Sequence, residues 1–158
     1  MDYIRLAKAV GFAEAGIMDV NDFVIHPEFR KLCEKNTCGN YNLAKGCPPL
    51  CGELEDMLIK MKQYKHALIL KTKTPCDSSY DRKEQEEIQA KQNKLTLVLH
   101  DLMKNDGKED MLVMTAGPYQ DYSCLSAYCV NAQKMAEHVG MTCWKNDAYA
   151  RYFSLILY

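Results

Sequence analysis

The sequence predicts a single α/β (or α+β) layered domain over residues 1–158, with a mixed sheet of about four strands flanked by helices and a cysteine-rich metal-binding loop at 33–52. Three observations lead there. Apolar residues recur at intervals of three and four along several segments, and these segments alternate with short unbroken apolar runs that suit buried strands. Hydrophobic residues make up 47% of the chain and charged residues 26%, as in an ordinary globular domain. Four cysteines, Cys33, Cys38, Cys47 and Cys51, fall within nineteen residues, a density that points to a metal site.

Taken in order, Ile4, Ala7, Lys8 and Val10 have helical spacing, and Gly11 ends that helix. A strand is expected within Ala13 to Met18, and a further short apolar segment runs from Phe23 to His26 beyond Asp19, Asn21 and Asp22. Pro27 opens a helical turn through Phe29 and Leu32 into Cys33. After the cysteine run, Leu54, Met57, Leu58 and Met61 mark a helix, and Ala67-Leu68-Ile69-Leu70 reads as a buried strand.

Asp77 or Ser78 is placed to cap a long helix carrying Tyr80, Ile88, Leu95, Leu99 and Leu102, which ends at Asn105-Asp106-Gly107. Within it Arg82 and Glu86, and Lys83 and Glu87, are four apart, the spacing of supporting ion pairs. Met111 to Thr115 is a strand and Ala116-Gly117-Pro118 a turn. One helix then carries Leu125, Tyr128, Ala132, Met135 and Val139 as far as Gly140, and Tyr152 to Tyr158 supplies the last strand. Connections of such uneven length leave strand order and direction open.

Thiolates bind soft or borderline ions, and four on one loop can complete a tetrahedral zinc site or hold an iron-sulfur cluster. Gly39, Gly46, Pro48, Pro49 and Gly52 punctuate the run, so the backbone can fold back and turn several sulfurs inward. Gaps of four, eight and three residues match neither paired zinc cysteines nor the ferredoxin run, so both metals stay open. Arg30, Lys31, Lys35 and Lys45 outnumber Glu28 and Glu34 around the loop, which suits an anionic centre. Cys51 precedes the helix expected from Gly52, whose N-terminus favours a thiolate, and is the favoured fourth ligand. Cys124 and Cys129 are the alternatives; on one continuous helix they would stand about 140° apart and could not point at one ion together.

The run C-x4-C-G-N-Y…K-G-C-P-P resembles a family of predicted metal-binding proteins common in anaerobic bacteria and archaea, the domain of unknown function 2284. The similarity extends to the helix and aliphatic strand from Leu54 to Leu70 and to the closing strand Tyr152 to Leu157. It implies a ligand role for Cys33, Cys38 and Cys47. Many relatives carry a second group of closely spaced cysteines after the turn that resembles Ala116-Gly117-Pro118; this chain keeps only Cys124 and Cys129 there, so a second complete cluster is not expected.

The function read from the site is a small iron-sulfur (4Fe-4S) protein acting in electron transfer, or as an accessory to a redox enzyme, with exposed Lys31, Lys35 and Lys45 guiding an acidic redox partner. The alternative is a structural zinc domain serving as an interaction module without redox activity. No catalytic constellation is recognisable: His26, His66, His100 and His138 are scattered, and no phosphate-binding glycine loop or H-E-x-x-H occurs. With 20 basic and 21 acidic residues the chain lacks the footprint of a nucleic-acid binder, and no apolar run is long enough to span a membrane. The first residues lack the pattern of a secretory leader, so a cytoplasmic protein is expected, with Cys76, Cys129 and Cys143 as ordinary buried thiols.

Overall fold

A computed structural model describes residues 1–76 and 82–158. Asp77, Ser78 and Tyr80, expected to open the long helix, lie outside the described residues. The elements run α1 (Tyr3–Val10), β1 (Glu14–Asp19), α2 (Phe29–Glu34), α3 (Leu54–Met61), β2 (His66–Pro75), α4 (Arg82–Asn105), β3 (Leu112–Met114), α5 (Ala132–His138) and β4 (Tyr149–Leu157), with short 3-10 turns at Val20–Asp22 and Leu125–Tyr128. The α/β class and the four strands are as the sequence predicts.

The strands lie in the order β1-β2-β4-β3, and every ladder is antiparallel. Strand direction thus departs from the mixed sheet expected, and the reason is topological. β2 and β3 run the same way with α4 crossing between them, but the carboxy-terminal β4 inserts antiparallel between the two, so no parallel ladder forms. The parallel pairing that remains is an isolated bridge between Thr115 and Cys124.

Both faces of the sheet are covered, which is why its central strands read as continuous apolar runs. Ala67, Ile69, Leu155, Leu157 and Met114 pack with Met57 and Met61 of α3 and Met135 of α5. The alternate residues Leu68, Leu70, Val113 and Ile156 pack with Ala7 of α1 and Leu99 and Met103 of α4. Side chains of this size contribute about 1.5–3 kcal/mol each when fully buried. The ends of α1 follow the expected chemistry: the Asp2 side chain accepts from the Arg5 amide at 3.1 Å, and Gly11 leaves the helix at φ 132°.

The 24 residues of α4 span about 36 Å and carry a buried polar stripe. Gln92 donates to the Leu70 carbonyl (3.2 Å) and to Ser154 (2.7 Å), and Thr96 shares a 2.6 Å hydrogen bond with Ser154. Asn93 grips the turn after β3, its amide donating to the Ala116 carbonyl at 2.9 Å and its oxygen accepting from the Ala116 amide at 2.8 Å.

Two local expectations change. The segment from Phe23 to His26 contributes a single bridge, Ile25 with Val130, and no strand. The helix expected across Leu125 to Val139 is broken: Cys129 takes a left-handed conformation (φ 59°), and Asn131 restarts the helix by accepting from the Lys134 amide at 3.0 Å. A residue whose side chain caps a helix ends the continuity of whatever preceded it.

Candidate metal centre

Cys33 is carried by α2; from Lys35 to Gly52 the chain has neither helix nor strand and is held by consecutive turns. The Asn36 amide bonds the Cys33 carbonyl (2.9 Å), the Asn36 side chain accepts from the Tyr41 amide (3.0 Å), and the Cys51 amide bonds the Cys47 carbonyl (3.0 Å). Gly46 is where this strap meets the body of the fold. A Cβ added there would lie 2.0 Å from the Tyr122 carbonyl oxygen, so two backbones touch at a point only glycine permits. The contact sets Cys47 beside the segment that carries Cys124. That segment is tied to the sheet by the Thr115–Cys124 bridge and by the Thr115 amide donating to the Ser123 carbonyl at 3.0 Å.

Cys33, Cys38, Cys47 and Cys124 line one cavity of about 730 Å³, with Gly117-Pro118 and the α4 residues Gln85 and Gln89 among its other walls. The structure therefore brings together three of the four cysteines favoured from sequence and the alternative Cys124. Cys51 lines a different cavity, and Cys129, fully buried, points its thiol toward the Pro27 carbonyl at 3.9 Å. The angular argument against pairing Cys124 with Cys129 falls with the continuous helix it assumed.

Burial is the main influence on these thiols. It pushes Cys47 up to about 12, with the charge of Cys124 the next cause and Cys38, Cys51 and Cys33 following. Cys33 is raised by burial and then by Cys38, against the opposing charge of Arg30. Cys124 is raised by burial although the Ala127 and Ser126 amides favour its thiolate. Cys51 is likewise raised by burial with Arg30 opposing, and α3 starts only at Leu54, with Glu53 rather than Gly52 before it. Thiols that mutually oppose ionisation and share one cavity suit a cation, which removes their protons on binding. Among the described residues, no three cysteine, histidine, aspartate or glutamate side chains are gathered closely enough to hold a metal ion.

Arg30 is a feature the sequence pattern registered only as local charge. Its Nε donates to the Ala127 carbonyl (3.1 Å) and Nη1 to the Gly52 carbonyl (3.0 Å), while Nη2 approaches Cys51 Sγ at 3.7 Å and also contacts Met57 Sδ. One guanidinium thus fastens α2 to the Leu125–Tyr128 turn and to the end of the loop. Gln85 and Gln89 were also missed, though with Arg82 and Glu86 they form a polar stripe at helical spacing. His26 is occupied structurally: Nδ1 meets Glu28 at 2.8 Å, Nε2 meets the Asn131 amide at 3.1 Å, and the ring stacks on Phe29. Tyr128, 6% exposed, has its phenol pushed up to about 12 by burial and then by the charge of Cys51.

A thiol-lined cavity built from a turn-rich strap and the end of a sheet defines a candidate metal-binding protein. The family model of the predicted metal-binding proteins (DUF2284) matches residues 16–124, and the chain belongs to that family. Two solved structures align with nearly the whole chain. One is epoxyqueuosine reductase from Bacillus subtilis, at 13% identity and TM-score 0.49, covering 98% of this chain and 44% of that one. The other is a selenomethionine-labelled epoxyqueuosine reductase at 12% identity and TM-score 0.52, covering 99% and 44%. The second shares the fold, and this chain spans less than half the length of either. No curated protein matches the chain. Among the described residues, no helix is long and apolar enough to cross a membrane.

Proposed function

We propose that Cys33, Cys38, Cys47 and Cys124 hold a 4Fe-4S cluster, and that the protein carries electrons to or from a partner redox protein or serves such an enzyme as an accessory. The observation that carries this reading is the arrival on one cavity of Cys33 from α2, Cys38 and Cys47 from the strap, and Cys124 from the segment bridged to Thr115 just beyond β3. An all-cysteine donor set suits a cluster or zinc. A zinc ion with sulfurs about 2.3 Å away is the alternative for the same donors, and a metal count decides between the two.

When bound, such a cluster supplies one-electron oxidation and reduction. The chain's own residues set the conditions. Burial of Cys47 keeps water from its sulfur, Cys124 is half-buried, and Arg30 adds a fixed positive charge beside the loop. Lys31, Lys35 and Lys45 are exposed and give an acidic partner a cationic approach. Cys33, Cys38, Cys47 and Cys124 are free thiols, in keeping with the reducing cytoplasm this reading assumes.

The test is purification without oxygen, a visible spectrum, and a count of iron, sulfide and zinc per chain. Broad absorption that bleaches with dithionite is expected, with about four irons per chain. Cys124→Ser should reduce the iron content far more than Cys51→Ser. Colourless protein holding one zinc in the anaerobic sample overturns the cluster, and the opposite order of the two variants overturns Cys124 as fourth ligand.

A further inference from the structure

A second cavity, of about 510 Å³, lies on the other side of the cysteine strap, with Cys51 in its wall. Its size is that of a small-molecule site, a few hundred cubic ångströms. Its chemistry differs from that of the thiol cavity. Lys45 and Lys60 line it against one carboxylate, Asp121, which stands 3.7 Å from Lys45 and leaves Lys60 without an ion-pair partner among the described residues. Tyr128 lines it too, and although only 6% exposed, its hydroxyl has no hydrogen-bond partner among the described residues. The hydroxyl oxygen is not one of the fully buried unpartnered atoms, so it is open to the cavity and can donate to a ligand there.

The remaining walls are of two kinds. Met57 and Leu112, each 8% exposed, supply apolar surface. β3 contributes Leu112 and Val113 from the margin of the sheet, where the strand has β4 on one side and no strand on the other. The unpaired amides of such an edge are further donors.

We propose that this cavity is a binding site, separate from the metal centre, for a small organic oxyanion: a carboxylate or a phosphate monoester on an apolar body. Lys60 and the Tyr128 hydroxyl take the anionic head, and Met57 and Leu112 take the apolar body. Lys45, already facing Asp121, contributes less.

Calorimetric titration of the full chain with benzoate, phenyl phosphate and benzyl alcohol tests the site. One or both anions should bind at one per chain, at least about tenfold tighter than the alcohol, and the tighter of the two identifies the head group. Lys60→Ala and Tyr128→Phe should each weaken that binding about tenfold, the worth of a hydrogen bond to a charged group, while leaving the metal count unchanged. Three outcomes overturn the proposal: no binding of either anion at millimolar concentration, the alcohol binding as tightly as the anions, or affinity unaltered in both variants. Anion binding that depends on Lys60 in protein devoid of metal would leave this site standing and the cluster reading lost.

Discussion

β2 and β4 share nine register pairs, and Leu68, Ile69, Leu70, Leu155, Ile156 and Leu157 are fully buried between helices on both sides. The strap from Lys35 to Gly52 has no ladder at all, and it leaves Leu43 at 74% and Leu50 at 52% exposure. The first region gains its free energy from removing apolar surface from water. The second, with little to bury, is held by turns, by one backbone contact at Gly46 and by the reach of Arg30. Regions of so few apolar contacts sit at the low-stability end of a fold, and a ligand that bridges them to the core raises that stability. The two halves should therefore respond to different perturbations.

The largest separation is expected from Gly46→Ala. Its added carbon would drive the strap off the Tyr122 carbonyl, moving Cys47 away from Cys124. Metal content should fall to near zero while far-ultraviolet circular dichroism and the urea midpoint of the apoprotein stay close to the parent values. Full metal content in that variant would show that the docking contact is not what assembles the centre.

Leu155→Ala addresses the other half. Truncating a fully buried leucine should cost about 2–5 kcal/mol, measured by urea unfolding, and lower the stability of sheet and site together. If the variant lost metal before any change in the sheet's unfolding, the dependence of the strap on the core would be reversed from that described.

Alkali gives the smallest effect, and two tyrosines supply the core half's share of it, beside the raised thiols of the site. Tyr3 and Tyr64 are raised to about 12, each by burial first and then by a hydrogen bond, to Asp106 (2.9 Å) and Asp110 (2.8 Å) respectively. A folded pKa above the unfolded value of about 10 means stability fully present below pH 10 and lost as the pH rises through 12. Urea midpoints of the apoprotein at pH 9, 10 and 11 should decline, and less steeply in the Tyr3→Phe/Tyr64→Phe variant. An equal decline in both would assign it to other groups.

The core half was also the half most open to reading from the chain. Ala67 to Leu70 announced a buried strand because both its faces are covered, and the periodicity of Leu95, Leu99 and Leu102 placed the end of α4 correctly. The direction of pairing was not visible, since it depends on β4 arriving from the far end of the chain to part β2 from β3. Asn131 did carry a local signal, a helix-capping residue inside an otherwise helical pattern, and reading it would have split the segment from Leu125 to Val139. Cys33, Cys38 and Cys47 were legible as a group because they lie close together in sequence, Cys33 at the end of α2 and the other two on the strap that follows it. That Cys124 lines their cavity follows from the Thr115 bridge and the Gly46 contact, both made between residues distant in sequence. The helix expected from Gly52 weighted Cys51, whereas Cys51 meets Arg30 and lines a different cavity.

The pairing of Thr115 with Cys124 gives the four sulfurs unequal footing. Cys124 is a fixed post on the rim of a rigid plate, Cys33 stands on α2, and Cys38 and Cys47 ride on a buckle that closes against them. Release should begin on the buckle side. If the proposed centre forms, its loss would leave Cys124 seated, so reloading would start from a one-armed encounter and finish by folding the buckle inward.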